Sequence, residues 1–338
     1  MDHDILQQEE TLIPQQEESL IPKEVKFKRV ASFTGGGALS FIELGIFHSV
    51  ITENTDIKFD ILCGVSGGAL IASLLSYFAD DFMKGVNYIK SKNFTNGSVY
   101  SFSLFPFPRT GLLSTEPLRK TLTTVLTELE KGKVDGVVHS KLIPCYVAAT
   151  SLNSGLIEYY DIHSLPSIKL KVDLIMGSSA IPLFFPIVPI KGLNGNNKTE
   201  CYQDGGIISN DLLSQIFNIC GDVTLDIYYF TYQNPYLTPY DNNRFNNFIG
   251  IFTSILRTLE IVFMTFNMQV SKLGSIQNNI YNDMKNIKPH TKTVSLFLTY
   301  GTAPAYFFLD ALNINKNLKL IEQGFDNNNT IVYDMSMF

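Results

Sequence analysis

At Gly64-Val65-Ser66-Gly67-Gly68 a short apolar run, Phe59–Cys63, turns into a longer one of helical length, Gly67–Phe78. A buried strand that passes into an apolar helix through so tight a turn has few folding options. The helix must lie back on the sheet to bury its apolar side. The preceding residues repeat the pattern. Val25–Phe33 alternates as a strand, and Gly35-Gly36-Gly37 makes a tight backbone turn. Residues 38–53 then place Leu39, Ile42, Leu44, Ile46, Phe47 and Val50 at helical spacing, ended by a turn at Asn54 and Asp56. A β–loop–α–β–turn–α unit of this kind predicts an α/β fold with a parallel sheet.

The same alternation continues downstream. Ser114 or Thr115 caps a helix with Pro117 in its first turn. Strands are expected near 142–149, 155–160, 223–230 and 293–298, and helices near 169–179, 246–272 and 303–323. The Asn-rich stretch 326–329 reads as a loop. The Phe- and Pro-rich segment 94–108 reads either as ordinary core or as a lid over a pocket. Residues 7–14 and 15–22 are an eight-residue unit repeated with one Thr/Ser exchange. Two Gln/Glu-rich copies bury too little to order themselves, so 1–24 is expected to be a flexible tail.

Composition narrows the function classes. The net charge is −6 and no basic stripe occurs, which argues against nucleic acid as a partner. For the same reason, contact with a membrane or lipid-droplet surface would have to be apolar and peripheral. The acidic start Met1-Asp2-His3-Asp4 lacks the apolar run of a signal peptide. The most apolar long stretch, 248–270, is interrupted by Arg257 and Glu260 and reads as an amphipathic or buried helix. A cytoplasmic location is expected. Cys63, Cys145, Cys201 and Cys220 are scattered without a CxxC pair, as buried free thiols would be, and the five histidines form no cluster. Neither metal nor cofactor is expected.

The chemistry centres on Ser66. A serine at a strand-to-helix hinge sits in a strained conformation with no room for large neighbours, hence Gly64, Gly67 and Gly68 around it. It also lies at a helix N-terminus, where N–H groups and the dipole favour a developing alkoxide. Gly35, Gly36 and Gly37 lack the third glycine of a dinucleotide fingerprint, because position 40 is Ser40, and they lack the Gly-Lys-Ser/Thr of a Walker loop. They fit an oxyanion hole best, with a plain tight turn as the alternative. Two readings of the base stay open. Asp204, before Gly205 and Gly206, suits a carboxylate presented at a strand end and acting as direct base. Ser66, Asp204 and His290 also follow the chain order of an α/β-hydrolase triad, although that fold builds several strands before its elbow.

Four blocks in order resemble the patatin-like phospholipase family, over about Ala31 to Asp211. They are Thr34-Gly35-Gly36-Gly37-Ala38-Leu39-Ser40-Phe41, Gly64-Val65-Ser66-Gly67-Gly68, Gly177-Ser178-Ser179-Ala180-Ile181-Pro182-Leu183-Phe184-Phe185-Pro186, and Asp204-Gly205-Gly206. The resemblance implies a three-layer α/β/α sandwich with a mostly parallel central sheet. It also implies a catalytic dyad of Ser66 and Asp204, with Gly36 and Gly37 holding the oxyanion and no histidine or metal. The implied activity is hydrolysis of acyl esters in phospholipids or glycerides. Residues 25–215 would form the catalytic core and 216–338 complete the same domain. Where the family's loop carries a basic residue and then glycine, this chain has Leu39 and Ser40. That departure motivates a second reading, a catalytically weak lipid-binding or scaffold protein. Acyl transfer through the same acyl-enzyme is a third.

Overall fold

The computed structural model describes residues 27–92, 101–102, 111, 113–135, 137, 142–193, 195, 197–210, 212–220, 224–233, 294–302, 314–326 and 328–334. The expected tail 1–24, the helix of 246–272, most of segment 94–108, and His139 and His290 lie outside the described residues.

The expected opening unit is present. Strand β1 (Phe27–Phe33) leads through the glycine turn into helix α1 (Ser40–Glu53), and β2 (Ile61–Val65) leads through Ser66 into α2 (Gly67–Leu75). Next come α3 (Phe82–Ser91), a two-residue ladder of β3 (Ser101–Phe102) with β4 (Leu113–Ser114), and α4 (Glu116–Glu130). Strands β5 (Cys145–Ser151) and β6 (Ile157–Asp161) precede α5 (Ile168–Ser178). Strands β7 (Val188–Lys191) and β8 (Thr199–Asp204) precede α6 (Leu213–Cys220). Strands β9 (Thr224–Gln233) and β10 (Val294–Thr302), helix α7 (Ile314–Asp326) and strand β11 (Asn328–Asp334) complete the described chain. Asp326, Asn328 and Asn329 of the Asn-rich stretch, expected as a loop, lie in a helix and a strand. Asp326 ends α7 and Asn328 opens β11, while the Asn328 amide donates to the carbonyls of Gly324 and Phe325. One asparagine thus satisfies carbonyls at the open end of the helix and starts the strand.

Among the described residues, nine strands form one mixed sheet. Its centre is parallel, in the order β10-β9-β1-β2-β5, and antiparallel strands flank it: β11 beside β10, β6 and β8 beside β5, and β7 beside β8. Side chains alternate between two apolar layers, as a strand period of two requires. Ala31, Phe33, Leu62, Val147 and Phe230 face the larger layer with α1, α2, α4 and α5. Val30, Ile61, Cys63, Val65, Ala148 and Ile227 face the smaller layer, which Leu212, Ile216 and Cys220 of the α6 region cover. Helices thus lie on both faces of the sheet.

Helix α1 is buried nearly all round, because the sheet lies on one side and α7 on the other. Two glycines permit that approach: a Cβ on Gly45 would meet the Ile321 carbonyl, and one on Gly324 would meet the Ile42 carbonyl. The Phe47 ring tilts on Phe33 at 5.5 Å and packs edge-on against Phe82 and Phe230, locking α1 to β1, α3 and β9.

Pairing within the sheet also determines where the chemistry sits. Strand β6 pairs with Tyr146–Thr150 along one edge of β5. The opposite edge is shared end to end: β2 pairs with Cys145–Ala148 and β8 with Ala149–Ser151. Strands β2 and β8 therefore run toward each other along a single edge. Val65 ends opposite Ala148, and Asp204 ends opposite Ala149.

Candidate active site

Ser66 follows β2 and Asp204 closes β8, so the head-on meeting of the two strands brings together residues 138 positions apart. Ser66 Oγ donates to Asp204 Oδ2 at 2.7 Å. Both side chains are buried, at 4% and 0% exposure. Asp204 Oδ1 accepts the Gly206 N–H at 2.8 Å, and its main chain is held by Ala180 and Thr150.

Ser66 has φ 54° and ψ −124°, a conformation rare for any residue with a side chain. It costs on the order of 1–3 kcal/mol and persists only where the surroundings impose it. The Ser-Ser pair at the end of α5 imposes it here. Ser178 Oγ accepts the Ser66 N–H at 2.9 Å, and Ser179 Oγ donates to the Ser66 carbonyl at 3.1 Å. The Ser178 hydroxyl in turn donates to the Ala148 carbonyl. Gly64, Gly67 and Gly68 provide close approach. A Cβ on any of them would strike backbone: the carbonyls of Gly68, of Gly37, and of Phe33 and Thr34 respectively. Gly205 is confined likewise between Ala148 and Val65.

The glycine loop lies against the serine, and a Cβ on Gly35 would stand 2.9 Å from Ser66 Cβ. Its three N–H groups are not equivalent. That of Gly35, grouped with the oxyanion donors from sequence, is taken by Asn210 Oδ1 at 2.8 Å and cannot also hold an anion. Those of Gly36 and Gly37 have no acceptor among the described residues, and both residues are half-buried. Gly37 has φ 57°, which glycine adopts at no steric cost. Leu39 packs into the core, and Ser40 Oγ donates back to the Thr34 carbonyl at 3.4 Å, so the loop closes without a basic residue. Behind it, Thr34 donates to the buried Glu43, whose pKa burial drives well above the ordinary carboxylate value.

Burial also raises Asp204, to about 7, and the hydrogen bonds from Ser66 and Gly206 only partly oppose it. A carboxylate with a pKa near neutrality accepts a proton far more readily than an exposed aspartate. Of the histidines, His48 lies beside Lys90 and Phe325, and His163 is bonded to Ser76. Neither meets Ser66. Among the described residues no three His, Cys, Asp or Glu side chains converge as a metal site would require.

The structure brings Ser66, Asp204 and the Gly35–Gly37 loop, all expected from sequence, to one junction, with Gly35 held by Asn210 rather than offered as a donor; the sequence assigned no role to Ser178, Ser179 or Asn210. Ser178 and Ser179 stood in a quoted block with no task attached. Asn210 gave no local signal, because its partner lies 175 residues away.

Fold and site define an α/β protein that sets a serine hydroxyl, a carboxylate and a glycine loop at one strand junction. Residues 31–216 match the family model described as Patatin-like phospholipase, and the chain belongs to the patatin-like phospholipase family. Membership implies lipid acyl hydrolase activity in general terms. Similar solved structures include VipD from Legionella pneumophila, with 14% identity and a TM-score of 0.38, covering 90% of this chain and 68% of VipD. The type III effector protein ExoU has 12% identity and a TM-score of 0.29, with 90% of this chain and 55% of ExoU covered. No curated protein sequence matches the chain.

Proposed function

We propose that this chain hydrolyses acyl ester bonds of phospholipids or glycerolipids through an acyl-serine intermediate. Ser66 Oγ attacks the ester carbonyl carbon while Asp204 takes the hydroxyl proton. The carbonyl oxygen becomes an oxyanion, held by the N–H groups of Gly36 and Gly37 and by the N-terminal end of α2. The tetrahedral intermediate collapses, the ester C–O bond breaks, and the leaving alcohol recovers the proton from Asp204. Water then attacks the acyl-serine with Asp204 again as base, releasing the fatty acid and restoring Ser66. One oxyanion donor is worth roughly 2.7–4 kcal/mol of barrier.

The observation that carries this reading is the 2.7 Å bond between a strained serine and a buried aspartate inside the family-matched segment. Contact with a lipid surface is supported by the exposed aliphatic side chains at the carboxyl end of the sheet. Leu152 and Leu156 lie in the turn after β5, Leu183 lies between α5 and β7, and Ile208 follows Asp204. The four cysteines are free thiols, which fits a reducing compartment. No helix among the described residues is long and apolar enough to cross a membrane.

The test is a panel of phospholipids and glycerides assayed with wild type beside Ser66→Ala. Release of fatty acid and capture of a fluorophosphonate are expected from wild type and should fall at least about 10³-fold in Ser66→Ala. Undiminished hydrolysis by Ser66→Ala would sink the proposal.

A further inference from the structure

Gly35 is gripped twice by one side chain. Its N–H donates to Asn210 Oδ1 at 2.8 Å, and its carbonyl accepts from Asn210 Nδ2 at 2.9 Å. An amide carries an acceptor oxygen on one arm and a donor NH2 on the other, in a single plane, so it satisfies both main-chain groups of a glycine in only one orientation. Of side chains this size, an ionised aspartate lacks the donor, and leucine has neither group. Asn210 is buried, and its Oδ1 occupies the space a Cβ on Gly35 would need. From the other side, the ring and hydroxyl of Tyr232 stand where a Cβ on Gly36 would be, and the hydroxyl approaches the Gly35 carbonyl at 3.4 Å.

The grip joins two parts of the site. Residues 204–210 carry Asp204, the Gly206 N–H that anchors its carboxylate, and Asn210 at the end of the turn. A short segment thus sets the base and, through Gly35, the peptide planes that follow. The directions of the Gly36 and Gly37 N–H groups depend on the conformation of Gly35, which as a glycine has no preference strong enough to fix it. Removing both bonds frees the Gly35 N–H and leaves the Ser66–Asp204 bond, to which Asn210 does not contribute, in place.

We infer that Asn210 is the positioning residue of the oxyanion loop, acting through Gly35 to aim the N–H groups of Gly36 and Gly37 at the developing oxyanion. The inference rests on the function proposed above and extends it to a residue that never touches substrate. Because the loop acts on charge that appears only during the reaction, its loss lowers kcat and leaves KM nearly alone.

The full chain is assayed as wild type, Asn210→Ala, Asn210→Asp and Ser66→Ala on a soluble p-nitrophenyl acyl ester, with the rate of fluorophosphonate capture measured in parallel. Asn210→Ala is expected to lose about 100-fold in kcat and in capture rate, with KM within about twofold. The acid limb of its pH profile should keep the wild-type midpoint, because the Ser66–Asp204 pair is intact. Asn210→Asp keeps the acceptor for the Gly35 N–H but turns an oxygen toward the Gly35 carbonyl, and should fall between the two. Wild-type kcat in Asn210→Ala, or a raised KM with kcat preserved, overturns the inference. If Asn210→Ala does not fold, Asn210→Asp decides. A kcat loss of about tenfold or more with KM and melting midpoint preserved supports the assignment, and wild-type kcat overturns it. An active Ser66→Ala removes the parent reading as well, whereas an inactive Ser66→Ala beside a fully active Asn210→Ala removes this inference alone.

Discussion

Asp204 carries a conflict between catalysis and stability that pH makes measurable. As the base of the proposed reaction it must be ionised, and burial raises its pKa to about 7. The rate of acyl-enzyme formation should therefore rise tenfold per pH unit up to about pH 7 and level off above, as a pre-steady-state pH profile would show. Stability runs in the opposite direction. The folded pKa exceeds the ordinary value of 3.8, so the folded state binds the proton more tightly than the unfolded one. That contribution is complete below about 3.8, declines between 3.8 and 7, and is absent above 7. Asp204→Asn keeps partners for Ser66 and Gly206 without a buried charge. It should stabilise the fold at pH 8 on the order of 2–4 kcal/mol while abolishing turnover, as urea unfolding and the ester assay would show. At this scale the sequence was most legible where chemistry is local. Ser66 stood out because its glycines are adjacent, and Asp204 because two glycines follow it. Asn210, Ser178 and Ser179 were silent, because their meaning depends on partners 112 to 175 residues away.

The elements that could be read ahead were those whose periodicity is strong and whose ends are marked. Helix α4 begins at Glu116 with Pro117 in its first turn, as expected; Thr115 takes the N-cap position without a side-chain cap bond, and the Ser114 hydroxyl accepts the Glu116 N–H at 3.4 Å. Strands β1, β5, β6 and β9 lie within a few residues of their expected positions. Helix α3 went unread even though Asp81 caps it through the Lys84 N–H, because one cap before ten residues of mixed polarity is a weak signal. Strand β7 is four residues long, too short for alternation to show, and it exists because β8 offers it an edge. The contact between α1 and α7 could not be read either, since Gly45 and Gly324 look like ordinary weak spots inside helical patterns. An exposed helix would gain roughly 1 kcal/mol from Gly→Ala. Here the new methyl meets backbone that cannot swing aside, and overpacking of that kind costs typically 1–3 kcal/mol or more. The second effect wins. Gly45→Ala and Gly324→Ala should each lower stability, by up to about 2 kcal/mol net, checked by chemical denaturation.

Across the described molecule, the carboxyl end of the sheet gathers the candidate active site and the exposed aliphatic side chains of Leu152, Leu156, Leu183 and Ile208. Burying an aliphatic side chain in lipid is worth roughly 1.5–3 kcal/mol. Leu156→Asp combined with Leu183→Asp should therefore lower hydrolysis of vesicle-borne phospholipid at least about tenfold and leave a water-soluble ester unaffected. Equal activity of this double variant on vesicles would exclude that edge as the lipid contact.

Strand β1 pairs with β2 on one side, and with β9 along its whole length on the other, from Phe27 opposite Thr224 to Phe33 opposite Phe230. On a ribosome the first of these strands therefore waits for a neighbour made nearly two hundred residues later. For that interval one row of its amide and carbonyl groups is an open template for any passing chain. Birth of this protein is its most sticky moment: a holding chaperone, slow expression or low temperature should improve its yield more than any change to the finished surface.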